Sequence, residues 1–166
     1  MYFESRFDSP IGPLILLSRG DSLVYCNWDN EECEPKLRKV RDTCWCPCIM
    51  KDDEILKCTK VQLREYFEGK RQNFEVPYHL TSTGFQLKIF KAIGEIPYGD
   101  TISYKELGEK SGFPKGYRAI AGACGANPIA LILPCHRVVG SNGLGGYTGG
   151  IDKKVFLLSL ERNSGT

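Results

Sequence analysis

The sequence predicts an α+β protein in two parts, an antiparallel sheet with a helix in residues 1–80 and a mainly helical part with a helix-turn-helix in residues 81–166. Two observations predict this arrangement. Short β-rich runs separated by turn signals open the chain, and after residue 83 the apolar residues recur at helical spacing. Residues 68–83 have no helical period and carry Pro77, so we place the domain boundary near residue 80.

The N-terminal part contains three β-rich runs. They are YFESRF, PLILLS and SLVYCNW, and the turn signals SPIG and RGDS separate them. An antiparallel meander is the simplest arrangement for strands joined by such short turns. Charged, proline-containing segments follow. Residues 55–68 then place Leu56, Leu63 and Phe67 on one stripe, which predicts a helix.

The C-terminal part begins with a predicted helix in TGFQLKIFKAIGEIPYG, which Pro97 closes. Its apolar face consists of Phe85, Ile89, Ala92, Ile93 and Ile96. TISYKELGEKSG predicts a short helix with Thr101 or Ser103 as its N-cap. GFPKGYRAIAGACGAN predicts a turn and a second helix that ends at Asn127 and Pro128. Two short helices across a tight glycine-containing turn outline a helix-turn-helix.

The second of these helices carries almost no side-chain bulk. Its small residues are Ala119, Ala121, Gly122, Ala123, Gly125 and Ala126. They permit close backbone approach to another helix or to a nucleic-acid groove, and the residues alone leave both open. Residues 1–80 hold 12 basic and 14 acidic side chains, whereas residues 81–166 hold 10 basic and 6 acidic. This asymmetry weakly directs any polyanion to the C-terminal part.

The composition is that of a soluble globular protein, with no apolar run near the roughly 20 residues that span a bilayer. The N-terminus has no basic-then-apolar signal pattern, so we expect a cytosolic or nuclear protein. Eight cysteines are then expected as reduced thiols. The thiols of Cys44, Cys46 and Cys48 alternate, unlike the C-x-x-C pairs of zinc knuckles. Zinc stays open there, and a loop of reduced thiols is the preferred interpretation.

The stretch ILPCHRVVGSNGLGGY carries the candidate chemistry. A cysteine in an apolar run is usually a small hydrophobe. Here polar His136 and Arg137 follow Cys135 at once, so we expect the segment to reach the surface at the thiol. A thiol nucleophile needs a base or a positive field. On an extended segment adjacent side chains diverge, so His136 is expected to reach the thiol through a bend or a water. A carboxylate usually orients such an imidazole, and the residues alone do not choose Glu161 over the other acids among the 20 in the chain.

Four stretches in order resemble the O6-alkylguanine-DNA alkyltransferases, also called methylated-DNA–protein-cysteine methyltransferases. They are TISYKELG, YRAIAGACGANP, LPCHRVV and GLGGYTGGIDKKVFLLSLE. DSPIGPLIL also resembles the family's opening hairpin. The chain departs from the family at Gly108, where alanine is frequent, and at Cys124, where a larger apolar residue is common.

The resemblance implies an α/β N-terminal domain with an antiparallel sheet, followed by a winged-helix-like C-terminal domain that carries the active site. It implies repair of O6-alkylguanine in double-stranded DNA by irreversible transfer of the alkyl group to the protein's own cysteine. The resemblance implies that the reaction needs no cofactor. Some members of the family carry N-terminal zinc ligands, but this sequence has no match to them, so we expect no metal. We expect a monomer with no membrane association.

By motif position the resemblance makes Cys135 the alkyl acceptor, His136 its base through a water, and Glu161 the orienter of the imidazole. Asn127 is implied as a hinge, and Tyr104 as the residue that rotates the phosphate and donates toward guanine N3. The resemblance also implies residues that bind DNA: Arg118 as a finger that enters the base stack where the target base leaves, and Lys105 and Ser141 as contacts to the DNA backbone. It implies a base pocket lined by Tyr147, Thr148 and the backbone near Val138, with Lys154 as a buried lysine that supports the site.

Three other functions compete with this interpretation. A damage sensor without chemistry would resemble the family but lack the acceptor, and Cys135 is present. A cysteine hydrolase could use Cys135 and His136, but it would need an oxyanion hole and would turn over repeatedly. A thiol-based metal module would centre on residues 44–48. Tyr104 could instead be core, and Arg118, Glu161 or Lys154 could be solvated charges.

Overall fold

The computed structural model describes residues 1–43 and 46–164. The chain divides into two compact units, one ending at Leu80 and the other beginning at Thr81. No helix within the described ranges has both the length and the apolarity that a membrane crossing requires. The mixed α+β class predicted from the sequence is confirmed.

The first unit is built on a four-stranded sheet. Its strands are β1 (Tyr2–Ser9), β2 (Gly12–Arg19), β3 (Ser22–Trp28) and β4 (Cys48–Met50), in the order β3-β2-β1-β4. The predicted antiparallel meander of the first three strands is confirmed by the β1–β2 and β2–β3 pairing. β4 pairs in parallel with β1 and was not predicted.

Two helices complete this unit, α1 (Glu34–Asp42) and α2 (Glu54–Phe67). α2 begins at Glu54, one residue before the predicted start, and the Asp53 carboxylate caps it by accepting a hydrogen bond from the Leu56 backbone N–H at 2.9 Å. Its buried face comprises Leu56, Thr59, Gln62, Leu63 and Tyr66. α1 was missed, since Leu37 is its one buried residue and a single apolar position makes no stripe.

The second unit is mainly helical. Its elements are α3 (Gly84–Gly94), β5 (Ile102–Ser103), α4 (Tyr104–Ser111), α5 (Tyr117–Gly125), β6 (Val138–Val139) and α6 (Ile151–Ser164). Thr83 and Gln86 form a capping box at the start of α3. Of the two candidate caps for α4, Ser103 is the one used, and it accepts from the Glu106 N–H at 3.0 Å. β5 and β6 pair in parallel.

The cysteines in the described ranges are present as thiols. Cys46 and Cys48 are exposed, and Cys48 opens β4 rather than lying in a loop. Cys44 lies outside the described residues. Among the residues that the structure describes, no three His, Cys, Asp or Glu side chains converge in a way that could hold a metal ion.

The tight packing of α4 on α5 depends on Gly108. A Cβ at this position would lie 2.5 Å from Ile120 Cδ1 and 2.8 Å from the Phe113 carbonyl oxygen. The Ile120 side chain can rotate, but the carbonyl belongs to the backbone of the turn. The two helices therefore approach each other over a position without a side chain.

We expect Gly108→Ala to destabilise the fold by about 1–3 kcal/mol, because the extra methyl overpacks the contact. Gly122→Ala is the matched control, since nothing lies within 4 Å of its Cβ position. There the higher helix propensity of alanine should stabilise by up to ~1 kcal/mol. Denaturant unfolding of both variants checks the prediction, and equal midpoints would contradict it.

Candidate active site

Cys135 lies in a single 3-10 turn, Cys135–Arg137, and not on an extended, surfacing segment as expected. Pro134 starts the turn, and the Arg137 N–H closes it on the Pro134 carbonyl at 3.0 Å. The side chains turn inward: Cys135 is 9% exposed, His136 0% and Arg137 6%. The expectation was wrong because the polar side chains find partners inside the unit, so the turn does not have to reach solvent.

Those inward side chains converge on Glu161 of α6. Its carboxylate accepts from His136 Nε2 at 2.7 Å and from Arg137 Nε and Nη2 at 2.7 and 2.9 Å. The Gly99 N–H points at the same carboxylate from 3.5 Å. The Glu161 side chain is 1% exposed. A carboxylate so enclosed is stable only because it is paired and hydrogen-bonded on both oxygens.

The ionisation of this cluster follows from its burial and its pairing. Burial alone would raise the pKa of Glu161, but the hydrogen bonds from His136 and Arg137 hold that pKa at about 2. Burial lowers the pKa of His136, and the Glu161 contact opposes this only in part. The imidazole is therefore neutral at neutral pH. Its Nδ1 is buried and makes no hydrogen bond to any described residue, so it can accept a proton.

Arg137 is the residue of the cluster that the sequence interpretation missed as a site residue. Besides its two bonds to Glu161 it donates from Nη1 to the Ile96 carbonyl at 2.7 Å. Its guanidinium also lies 5.6 Å from the centre of the Tyr98 ring. A signal was present, because an arginine inside an apolar run needs a buried partner if it is not exposed.

Asn127 ties the end of α5 to the cysteine turn. Its Nδ2 donates to the Leu133 carbonyl at 2.8 Å and its Oδ1 accepts from the Ile129 N–H at 3.0 Å. Within the loop so closed, Leu131 has a φ of 73°, a left-handed conformation that costs a non-glycine residue about 1–2 kcal/mol. The two side-chain hydrogen bonds hold the chain in this strained path up to Cys135.

Tyr104 and Lys154 hold the glycine-rich segment that follows the cysteine turn. A Cβ at Gly145 would lie 2.9 Å from the Tyr104 hydroxyl, and the φ of Gly145 is 73°, so this position requires glycine. Lys154 is fully buried, and its Nζ donates to the carbonyls of Val138 and Gly146 at 2.7 and 2.9 Å. Burial lowers the pKa of Lys154 and raises that of Tyr104.

Comparison with known proteins identifies the family. The model of the 6-O-methylguanine DNA methyltransferase ribonuclease-like domain matches residues 2–80, and that of its DNA binding domain matches residues 84–163. This chain belongs to the 6-O-methylguanine DNA methyltransferase family. The resemblance inferred from the sequence motifs is thereby confirmed.

Relatives within this family match over nearly the whole chain. The methylated-DNA–protein-cysteine methyltransferase of Methanosarcina acetivorans is 41% identical over 162 residues, which cover 97% of this chain and 98% of that protein. The protein of the same description from Mycobacterium tuberculosis is 42% identical over 164 residues, covering 98% and 94%. The crystal structure of Mycobacterium tuberculosis OGT in complex with DNA superposes with a TM-score of 0.85 at 38% identity, covering 98% of this chain and 94% of that one.

The remaining residues singled out in the family motifs lie outside the buried cluster. Arg118, Lys105 and Ser141 are exposed. Tyr147 and Thr148 are half-buried, and the Thr148 methyl lies 3.9 Å from the Cβ position of Gly125 on α5. Val138 is fully buried and joins the site through its carbonyl. Of these six residues, Arg118, Lys105 and Ser141 thus lie on the surface, Tyr147 and Thr148 are partly covered, and Val138 is enclosed.

The buried cluster predicts acid sensitivity of this family member. In the unfolded chain His136 binds a proton below about pH 6.5, while the folded imidazole stays neutral because its pKa is lowered. Glu161 keeps its charge in the folded state to about pH 2, whereas its unfolded pKa is 4.5. Both groups therefore bind more protons when unfolded, and stability should fall as the pH drops below about 6.5, and more steeply below about 4.5.

Urea unfolding midpoints measured between pH 8 and pH 4 check this prediction. His79→Gln is the control, because His79, the other of the two histidines, is exposed. We expect that variant to lose stability with falling pH as the wild type does. A midpoint that stays constant from neutral pH to about pH 5 would contradict the buried, neutral state of His136.

Proposed function

We propose that this member of the 6-O-methylguanine DNA methyltransferase family repairs O6-alkylguanine in double-stranded DNA by moving the alkyl group to Cys135. The reaction is irreversible and uses one protein chain per lesion, without a cofactor. The protein acts as a monomer in the cytoplasm, or in the nucleus if its source is eukaryotic. In this proposal the chain has two domains: residues 1–80 form the N-terminal α/β domain, and residues 81–166 form the DNA-binding and alkyltransferase domain.

The observation that supports this proposal most is the state of His136, next to Cys135 in one tight turn. Glu161 holds its Nε2 at 2.7 Å, and its unbonded Nδ1 belongs to a neutral imidazole. Such a ring is a general base with a fixed orientation. It takes the proton of the Cys135 thiol through one water. Arg137 keeps Glu161 ionised, and the negative carboxylate beside Nε2 stabilises the positive charge of the imidazolium once His136 has taken the proton.

The transfer step then forms one bond and breaks another. The Cys135 thiolate attacks the alkyl carbon in line, the S–C bond forms, and the C–O6 bond breaks. The bonding electrons go to the guanine, which is a better leaving group when a proton donor reaches its N3. Tyr104 supplies that donor, since its raised pKa keeps the hydroxyl protonated. No group here hydrolyses the thioether product, so the protein is consumed.

The substrate base must leave the duplex before its alkyl carbon can reach a buried thiol, because a base that stays stacked and paired cannot enter a pocket inside the protein. Tyr147, Thr148 and Val138 line the pocket that receives it, and Lys154 supports that pocket by holding the Val138 carbonyl. Arg118 enters the gap in the stack, and Lys105 and Ser141 contact the DNA backbone. The exposure of these last three residues suits contact with a macromolecule. Asn127 holds the cysteine turn to the end of α5.

The stoichiometry of methyl transfer tests the proposed function. Excess duplex containing O6-methylguanine is mixed with the protein, and the intact mass is followed with time. We expect one methyl group per chain, with no further repair once every chain is modified. Repair of several lesions per chain would reject the single-turnover reaction in favour of a hydrolase, and DNA binding without any mass gain would favour a damage sensor.

Replacing Arg118 with alanine should slow repair of duplex DNA by roughly tenfold to a hundredfold, because extrusion costs a few kcal/mol that the inserted side chain offsets. Reaction with free O6-benzylguanine should change little, since a free base needs no extrusion. Rates on the two substrates are compared with those of Lys115→Ala, an exposed cation that precedes α5. Equal losses on both substrates would reject the finger role.

A further inference from the structure

Tyr117 opens α5 directly before Arg118, and its side chain is 54% exposed. α5 is described in full, and Tyr117 is its one exposed large apolar side chain. The other exposed neutral positions of this helix, Ala119 and Gly122, carry little or no side chain. An isolated exposed ring needs no special explanation on a protein surface. The orientation of this ring, however, is set by its contact with Tyr104, a residue of the candidate active site.

The ring of Tyr117 packs edge-on against Tyr104. The two ring centroids are 5.6 Å apart and the planes meet at 69°, which is the favourable T-shaped arrangement. Tyr104 is itself buried, and its hydroxyl lies against Gly145 in the glycine-rich segment. Tyr117 is therefore a solvent-facing aromatic ring whose inner edge rests on a residue of the active site.

Tyr117 and Arg118 also project differently from the helix. Successive residues of an α-helix are about 100° apart around its axis. Arg118 can therefore enter a base stack while the Tyr117 ring stays against Tyr104. The other exposed positions of α5 carry little or no side chain, so Tyr117 and Arg118 are the two bulky side chains that this helix presents to solvent.

We propose that Tyr117 binds DNA by stacking its ring on a nucleobase that borders the gap left by the extruded nucleotide. This inference rests on the proposed function. Two bases border the gap and each has lost one stacking neighbour, so Arg118 can cover one of them while the Tyr117 ring covers the other with little dependence on base identity. Tyr104 holds the ring in place before DNA binds, so less side-chain entropy is lost on binding.

Repair rates on two substrates test the proposal. In Tyr117→Ala we expect repair of duplex DNA to fall roughly tenfold, which is in the range for loss of one base–aromatic stack, and reaction with free O6-benzylguanine to change less than about twofold. Tyr117→Phe should keep the wild-type rate on both, since stacking needs the ring and not the hydroxyl. Phe156→Ala, which removes an exposed aromatic ring from α6, should change neither rate.

A binding measurement separates stacking from packing. In a Cys135→Ala background, 2-aminopurine placed beside the lesion should be quenched in the bound complex when Tyr117 is present, and Tyr117→Ala should make the bound complex more fluorescent. Equal rate losses on duplex and free base would mean that Tyr117 acts only by supporting Tyr104, and would overturn the proposal. Unchanged duplex repair would also overturn it. Failure of the wild type to gain a methyl group would instead reject the proposed function, while the fluorescence measurement would still report on Tyr117.

Discussion

Replacing Cys135 with serine is expected to abolish alkyl transfer while leaving the protein folded and able to bind DNA. A serine hydroxyl is far less acidic than a thiol, and a neutral His136 cannot generate a useful fraction of alkoxide. The change removes little volume, since only sulfur is exchanged for oxygen. We therefore expect a loss of repair below detection, with a thermal midpoint close to that of the wild type.

The matched control is Cys58→Ser, which exchanges an exposed thiol on α2 in the other unit. It should transfer one methyl group per chain as the wild type does. Gel shift or anisotropy with a duplex that contains O6-methylguanine measures binding by each variant. Residual transfer by Cys135→Ser at even a hundredth of the wild-type rate would show that alkyl transfer does not require the Cys135 thiol.

The second large effect is expected for Glu161→Gln. The substitution keeps the shape of the side chain but removes the negative charge that faces Arg137, whose side chain is 7% exposed. An unpaired buried charge costs about 3–5 kcal/mol, a large part of the stability of a domain of this size. The amide also cannot accept from His136 and Arg137 with the strength of a carboxylate, so the imidazole loses its fixed orientation.

Glu65→Gln is the control for this prediction. It removes a carboxylate that pairs with Arg71 at 3.1 Å, where the Glu65 side chain is 39% exposed and the Arg71 side chain 24% exposed. A pair so accessible to water should be worth less than about 1 kcal/mol. Chemical denaturation measures both variants. If Glu161→Gln unfolded at the same denaturant concentration as Glu65→Gln, the carboxylate could not be the anchor of the buried cluster.

The fold was predictable where local patterns agree with the tertiary structure. The three N-terminal strands alternate or are continuously apolar between short turns, and Ser103 and Asp53 cap helices that begin beside them. β4 could not be predicted in this way, because three residues carry too little pattern and its pairing with β1 is distant in sequence. Such pairing is decided by tertiary contacts that no short window contains.

The site shows the same division. Cys135 and His136 were recognisable because they are adjacent and lie in a family motif, whereas the choice of Glu161 came from the resemblance alone. The spacing of 25 residues between His136 and Glu161 carries no signal until the turn and α6 are brought together. The left-handed backbone of Leu131 also escaped prediction, because leucine gives no local hint of a positive φ.

The position of the transferred methyl group tests the central claim most directly. Trypsin cleaves after Arg118 and Arg137, so Cys124 and Cys135 remain on one peptide and fragment ions must separate them. Burial, with a smaller contribution from Cys135, raises the pKa of Cys124 to about 12, so that thiol stays protonated and unreactive. We predict one methyl group on Cys135 and none on Cys124. A methyl group on Cys124, or on any residue outside this peptide, would contradict the account.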